Sequence, residues 1–207
     1  MDTIKAIRER RSIRKYLDKD VKLEVVSEIL DAGGYAPSAG NMQNWRFLVV
    51  KDREKREKIA DACLGQRWMN QAPVHLIVCN DNKDIKRLYK RKGERYSVQN
   101  CAVAMQNILL AAFDKGLGSC LVGAFNGDKI RSLLHIPDDI PIEGVITLGY
   151  PAVKLGPRDS RQQRRHKVEY VTFFEEYGER ELDFSFWPLD KHLKKLRGKL
   201  SLRKIRK

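Results

Sequence analysis

Ala36-Pro37-Ser38-Ala39-Gly40-Asn41-Met42-Gln43-Asn44-Trp45 is the stretch around which the chain is organised. It joins a predicted helix over 22–32 to a predicted strand over 45–50. Proline fixes one φ angle, glycine gives the backbone freedom, and the serine, asparagine and glutamine side chains offer hydrogen-bond donors and acceptors. Polar groups just before a strand suit the rim of a flat heteroaromatic ligand. The alternative is an ordinary turn in which Gly33 or Gly34 caps the helix.

Outward from this loop, apolar periodicity and turn residues predict a series of short helices and strands. The predicted helices span 3–11 with Thr3 as N-cap, 22–32, 52–63 with Asp52 as N-cap, 97–115, and 127–134 with Asn126 as N-cap. The predicted strands span 45–50, 74–79, a short run from Gly118, and 143–148. The helix over 97–115 is apolar on nearly every face. We therefore expect it to be buried all round, as a central helix or at a subunit interface.

A basic stretch follows the first helix. Arg10-Arg11-Ser12-Ile13-Arg14-Lys15-Tyr16 holds three arginines, a lysine and a hydroxyl group within a few positions. Guanidinium groups match phosphate oxygens with paired hydrogen bonds, so the stretch is a candidate anion site. A solvated basic face is the alternative. A second cationic cluster over 154–167 could converge on the same phosphate.

The glycines of Gly116-Leu117-Gly118-Ser119 permit a tight turn and a close approach of backbone to a ligand. Their order is neither that of a phosphate-binding loop nor that of the dinucleotide-binding fingerprint. Nucleophilic catalysis has no support either, because no histidine lies near a serine or cysteine in a triad-like pattern. His75, inside the strand over 74–79, is predicted to be a structural residue. The basic segment over 82–97 is predicted to be a mobile surface excursion, with a lid over a ligand site as the alternative.

Composition and charge narrow the class of protein. The 207 residues suffice for one domain with a core, and no apolar run approaches the roughly 20 residues that span a bilayer. The four cysteines are dispersed, so we predict no metal site and expect buried thiols in a reducing cytoplasm. Eight units of the net charge of +14 fall in residues 190–207. We expect this tail to be a solvated extension. Contact with nucleic acid or an anionic membrane is the alternative.

Taken together, these stretches resemble the nitroreductase family of FMN-dependent oxidoreductases over roughly residues 3–175. The resemblance rests on four stretches in the family order: Arg10-Arg11-Ser12-Ile13-Arg14, the loop from Ala36 to Trp45, Ala104-Met105-Gln106-Asn107 with Gly116-Leu117-Gly118-Ser119, and Gly149-Tyr150-Pro151 followed by Arg164-Arg165. Asn44 and His166 stand where the family often has proline. The resemblance implies an α+β fold in which a central, mostly antiparallel sheet is flanked by helices. It also implies an intertwined homodimer with FMN at the interface.

The resemblance also assigns residues to the cofactor. Arg10, Arg11 and Ser12 would hold the FMN phosphate and ribityl chain, and Arg14 would lie near the N1–O2 edge of the flavin. The remaining expected contacts are Pro37, Ser38, Ala39 and Asn41 from the partner subunit, Gln43 in the same motif, Gly118 against the ring, and Arg164 or Arg165 at the phosphate. On this basis residues 1–178 would form the FMN-binding domain and residues 179–207 a C-terminal arm and basic tail.

The activity implied is electron transfer from NADH or NADPH, through N5 of FMN, to a nitroaromatic, quinone or similar acceptor in a ping-pong cycle. A fixed guanidinium beside N1–O2 would stabilise the negative charge of reduced flavin. The flavin carries this chemistry without a protein nucleophile, which agrees with the missing triad. Two alternatives are a flavin enzyme of the same family with another dedicated donor or acceptor, and a protein whose basic tail binds nucleic acid or membrane.

Overall fold

The computed structural model describes residues 2–153, 166, 168–173 and 175–178. The helices are α1 (Thr3–Glu9), α2 (Leu23–Gly34), α3 (Arg53–Ala62), α4 (Lys83–Tyr89), α5 (Gly93–Asp114), α6 (Gly127–Leu134) and α7 (Val168–Val171). The strands are β1 (Trp45–Val50), β2 (Val74–Asn80), β3 (Gly118–Val122) and β4 (Ile142–Gly149). Short 3-10 segments lie at Ala39–Asn41, Arg67–Gln71 and Lys90–Lys92.

The four strands form one antiparallel sheet in the order β1-β2-β4-β3. Along β2, Leu76 and Val78 pack in the core shared with α2 and α5, whereas Ile77 and Cys79 pack on the side of α3 and α6. Successive strand residues face opposite sides of a sheet, and here helices cover both sides, so all of β2 is buried. The predicted α+β fold, an antiparallel sheet flanked by helices, is confirmed.

Among the helices that the structure describes, α5 is the longest, and it packs against both α2 and the sheet. Gly33 allows α2 and α5 to approach closely, because a Cβ added there would lie 2.7 Å from Cγ1 of Ile108. Gly33 and Gly34 therefore belong to the helix, which Tyr35 follows as C-cap, and the alternative of a glycine cap is wrong.

The prediction that α5 is buried all round is wrong for the chain by itself. One face is exposed, and its residues recur at helical spacing: Val98, Gln99, Ala102, Val103 and Gln106. On this face, Val98 exposes 43% of its surface and Val103 exposes 39%. A small, partly apolar helix face is what a subunit interface requires, so the second of the two predicted settings for this helix is retained.

The helix ends follow local hydrogen bonds. Asp2, and not Thr3, is the N-cap of α1, because its carboxylate accepts from the backbone N–H groups of Ile4 and Lys5 at 2.7 and 3.1 Å. A carboxylate at this position also opposes the positive end of the helix dipole. The predicted caps Asp52 and Asn126 are confirmed, each with its side chain accepting from a backbone N–H three residues on.

The basic segment predicted as a mobile excursion is instead a helical corner. Helix α4, a 3-10 turn at Lys90–Lys92 and the start of α5 follow one another directly. Ile85 is fully buried, and a Cβ added to Gly93 would lie 2.6 Å from the carbonyl oxygen of Ile85. The corner is therefore closely packed at its base.

The chain divides into two compact units, Met1–Pro157 and Arg158–Lys207. The sheet and helices α1 to α6 belong to the first unit, and α7 belongs to the second. The predicted boundary after residue 178 lies within the second unit and stays a prediction. The tail over 190–207 lies outside the described residues. Among the helices that the structure describes, none is both long enough and apolar enough to cross a bilayer.

Candidate functional site

The basic stretch from Arg10 to Tyr16, which we call the arginine segment, runs along the edge of the sheet beside β3. Ser12 forms a parallel bridge with Ser119, and the Ile13 N–H donates to the Ser119 carbonyl oxygen at 2.9 Å. Ile13 and Tyr16 are buried, whereas Ser12 and Arg14 are exposed. Two buried side chains thus hold the backbone while the polar side chains next to them face outward.

Tyr16 fixes the end of this segment. Its hydroxyl donates to the Ile13 carbonyl oxygen at 2.7 Å and also meets Oγ1 of Thr147 on β4 at 2.7 Å. Its backbone N–H donates to Oε1 of Gln71 at 3.2 Å. Burial raises the pKa of the Tyr16 phenol, which therefore stays neutral and serves as a structural hydrogen-bonding group.

Arg14 is positioned by an aromatic ring. Its guanidinium lies over the Trp68 ring, 5.6 Å from the ring centroid, in a cation–π arrangement. It is also close enough to Cys120 to influence that thiol. Burial raises the pKa of Cys120, whereas the charge of Arg14 and a hydrogen bond with Ser12 act in the opposite direction. Cys120 is thus a neutral thiol beneath the arginine segment.

Gly118, the first residue of β3, is in direct contact with the same segment. A Cβ at this position would lie 2.8 Å from Cγ2 of Ile13, closer than packed carbon atoms come. Glycine is therefore needed for β3 to lie against the arginine segment. The structure brings together Arg10, Arg11, Ser12, Arg14 and Gly118 on one edge of the sheet.

The loop from Ala36 to Asn44 has a strained, hydrogen-bonded backbone. Gly40, Asn41 and Gln43 have φ angles of 60°, 55° and 45°, in the left-handed region. The Ser38 hydroxyl accepts from the Gln43 N–H at 3.1 Å, and the Gln43 amide donates to the Asn41 side chain at 3.0 Å. These side-chain bonds hold the loop in one conformation.

A chain of amide hydrogen bonds anchors the loop to the core, and we call it the amide relay. The Ala39 N–H donates to Oδ1 of Asn100 at 3.0 Å, and Nδ2 of Asn100 donates to Oδ1 of Asn44 at 2.7 Å. Nδ2 of Asn44 donates to Oδ1 of Asn80 at 2.7 Å, and Nδ2 of Asn80 donates to Oε1 of Glu143 at 2.6 Å.

The three asparagines of the amide relay are almost fully buried, with no more than 5% of their surface exposed. Each uses both ends of its amide within the relay, so the burial of these polar groups is compensated. The relay joins β2, β4 and α5 to the loop at Ala39 and Asn44. The loop is thereby an extension of the rigid core and keeps its polar groups in fixed positions.

Comparison with known proteins gives the family. The sequence profile described as "Nitroreductase family" matches residues 7–150. A protein of Methanothermobacter thermautotrophicus named "Putative NADH dehydrogenase/NAD(P)H nitroreductase" is 43% identical over 163 residues, which cover 77% of this chain and 82% of that protein. The chain belongs to the nitroreductase family.

Further relatives agree with this assignment. The protein named "FMN reductase [NAD(P)H]" of Bacillus subtilis is 30% identical over 187 residues, covering 82% of this chain and 75% of that protein. Among solved structures, a "Putative NADH dehydrogenase/NAD(P)H nitroreductase" of Bacteroides thetaiotaomicron is 33% identical, with a TM-score of 0.66 over 80% of this chain and 97% of that chain. The resemblance and the fold inferred from the sequence are confirmed.

Within the chain, the two predicted parts of the nitroreductase site lie near different parts of α5. The loop is bonded to Asn100, in the first half of the helix. Gly118 follows the turn that ends α5 at Asp114, where the Leu117 N–H donates to the Ala112 carbonyl oxygen. From Asn100 to Asp114 the helix is about 21 Å long, at about 1.5 Å per residue. One chain therefore does not bring the loop to the arginine segment.

The remaining predicted residues have separate outcomes. Pro37, Ser38, Ala39, Asn41 and Gln43 lie together in the loop, and Arg164 and Arg165 lie outside the described residues. Sequence reasoning missed Asn80, Asn100 and Trp68. It marked Asn44 only as a departure from proline, although a polar residue just before a buried strand was a signal that its side chain needs partners.

Other candidate groups are structural. His75 is fully buried, its Nε2 donates to the Met69 carbonyl oxygen at 3.0 Å, and burial lowers its pKa to about 4. Burial raises the pKa of Cys63 and Cys79 to about 11 and that of Cys101 to about 12. Neutral, buried thiols are poor nucleophiles.

Proposed function

We propose that this nitroreductase-family protein is an FMN-dependent NAD(P)H oxidoreductase that works as a homodimer, with FMN held between the subunits. The observation that carries the proposal is the separation of the two halves of the site along α5. A flavin ring bound beside Arg14 would be out of reach of the loop from Ala36 to Asn44 of the same chain. The second subunit would therefore supply the loop. The exposed face of α5 offers a surface for this association.

The donor groups of the arginine segment fit FMN. Arg10, Arg11 and Ser12 would bind the phosphate and the ribityl chain, because guanidinium groups and a hydroxyl form charge-assisted hydrogen bonds with phosphate oxygens. Arg14, held by the Trp68 ring, would place a fixed positive charge at the N1–O2 edge. Arg164 or Arg165 would add to the phosphate site, as the family resemblance implies.

Bound FMN would supply the redox chemistry, taking electrons from NADH or NADPH at N5 and passing them to the acceptor. The protein would contribute electrostatics and position. Arg14 would favour the reduced flavin by stabilising negative charge at N1–O2. The loop of the partner, made rigid by the amide relay, would place Pro37, Ser38, Ala39, Asn41 and Gln43 along the ring.

We further propose a ping-pong cycle with a nitroaromatic, a quinone or a similar acceptor. Donor and acceptor would use the same exposed ring face in turn, since the arginine segment and Gly118 would line the rest of the cofactor. The proposal agrees with the neutral thiols and the neutral His75, because the protein would provide no nucleophile.

The visible spectrum of the purified protein tests this function first. We expect flavin absorption bands, FMN released on denaturation, and loss of the bands when NADH or NADPH is added without oxygen. Sedimentation should give twice the mass of the chain. A colourless protein that takes up no FMN on reconstitution would overturn the proposal, and flavin bands that neither nucleotide bleaches would exclude NAD(P)H as the donor.

A further inference from the structure

The helical corner between α4 and α5 carries an unusual concentration of positive charge. Within the described residues, Lys83 forms an ion pair with Asp139, and Arg87 forms one with Asp84. A further set of exposed cations has no carboxylate partner among those residues: Lys86, Lys90, Arg91, Lys92 and Arg95. We call these five residues the basic ridge.

The fold holds the basic ridge in a fixed place. Gly93 is buried, and a Cβ there would lie 2.7 Å from Cα of Lys86 as well as close to the Ile85 carbonyl, so α4 and α5 meet without space between them. The Tyr89 and Tyr96 rings pack edge to face across the corner, with their centroids 5.1 Å apart. Charges that repel one another are thus presented together by a packed corner.

The corner touches the loop of the candidate site. A Cβ added to Gly40 would lie 2.9 Å from the Tyr89 hydroxyl and 3.5 Å from Cδ2 of Leu88. Gly40 also has a φ of 60°, which favours glycine. The loop and the corner are therefore neighbours in one subunit, and a molecule that lies over the loop would meet the basic ridge at its outer end.

We propose that the basic ridge binds the adenosine 2′-phosphate of NADPH and makes NADPH the preferred donor over NADH. This inference rests on the proposed function, because the nicotinamide must lie over a flavin beside the loop. The two nucleotides differ only in that phosphate, which carries up to two negative charges near neutral pH. Unpaired guanidinium and ammonium groups are the natural partners of such a group, and the Tyr89 and Tyr96 rings offer a surface for adenine.

The variant Arg91→Ser with Lys92→Ser tests the proposal, since it leaves the strained backbone at Lys90, with φ of 49°, unchanged. Lys55→Ser with Lys58→Ser is the matched control, because it removes two exposed cations from α3. We expect the wild type to show a higher kcat/KM for NADPH than for NADH. In the ridge variant we expect the value for NADPH to fall at least about tenfold and that for NADH to change less than about twofold. The control variant should keep both values.

Binding of 2′,5′-ADP to the FMN-loaded protein, measured by calorimetry, gives a readout that needs no turnover. It should bind more tightly than 5′-AMP, and the ridge variant should remove the difference. Equal use of both nucleotides by the wild type would overturn the inference while leaving the proposed oxidoreductase intact. An equal loss for NADH and NADPH would also overturn it, because the ridge would then act on any anion. Selective binding of 2′,5′-ADP without flavin reduction would support the ridge and refute the proposed function.

Discussion

The backbone N–H of Ala39 donates to Oδ1 of Asn100 at 3.0 Å, and this bond ties the glycine-containing loop to the first half of helix α5. Asn100 in turn donates to Asn44, so that one side chain holds the loop at two positions. Main-chain geometry near the proposed flavin ring therefore depends on a buried side chain that would not itself touch the ring. Asn100 is a positioning residue in this sense.

Asn100→Leu should weaken both the fold and the cofactor site. The change leaves the Ala39 N–H and Oδ1 of Asn44 without their partner, so the free energy of unfolding should fall by about 2–4 kcal/mol. FMN affinity should fall at least about tenfold, as the loop is no longer held in place. Urea unfolding and titration of the apoprotein with FMN measure the two effects.

Asn107→Leu is the matched control for this helix. Asn107 is half-buried and donates to the Ala32 carbonyl oxygen at 3.3 Å, away from the loop. The Asn107→Leu variant should have a lower free energy of unfolding than the wild type and the same affinity for FMN. If the two variants bound FMN equally well, the amide relay would have only a structural role.

Arg10→Ala with Arg14→Ala should largely abolish FMN binding. Each arginine would make charge-assisted hydrogen bonds worth roughly 1.5–3 kcal/mol, so the dissociation constant should rise at least about 100-fold. Lys15→Ala is the control, since Lys15 is an exposed cation of the same segment that has no proposed contact. Fluorescence titration with FMN measures the change, and unchanged affinity in the double variant would refute the assigned roles.

The arginine segment could be recognised from the sequence whereas the amide relay could not, and this difference has a physical basis. The arginine segment was predictable because its residues are adjacent in the chain, so their charges are close together in any fold. The amide relay was not predictable, because Asn44, Asn80 and Asn100 come from the loop, β2 and α5 and meet only when the sheet and α5 pack together. A single asparagine in an apolar run does not identify its partner.

The error on α5 has a similar origin. Its sequence contains small and apolar residues on nearly every side, which in water indicates a helix without a solvent face. The structure of the chain leaves Val98, Ala102 and Val103 exposed. Hydropathy alone does not say whether such a face is covered by the same chain or by a second copy.

The substitution Ala102→Arg tests whether a second copy of the chain covers the exposed face of α5. A long cation at the centre of the exposed face should prevent two copies from packing, so the protein should sediment as a monomer and lose FMN, because the loop and the arginine segment would no longer meet. The control is Lys58→Glu on the exposed surface of α3, which should leave both properties unchanged. A monomer that still binds FMN tightly would contradict the proposed site between subunits.

His75 should make stability depend on pH in a defined window. Burial lowers its pKa from an ordinary value of 6.5 to about 4, so the folded protein favours the neutral ring. As pH falls through 6.5, His75 becomes protonated in the unfolded chain but stays neutral in the folded chain. Stability is therefore complete above about pH 6.5, falls by about 3 kcal/mol on the way to about pH 4, and changes no further from this group below that.

His75→Gln separates this contribution from those of other groups. The glutamine amide donates a hydrogen bond and stays neutral at all these pH values, so it serves the Met69 carbonyl without titrating. Whatever its stability at pH 7, the variant should lose less free energy of unfolding than the wild type between pH 7 and pH 4.5, when both are FMN-loaded and unfolded with urea. Parallel curves would mean that His75 accepts a proton inside the fold, which its full burial on β2 and the nearby positive charge of Arg56 argue against.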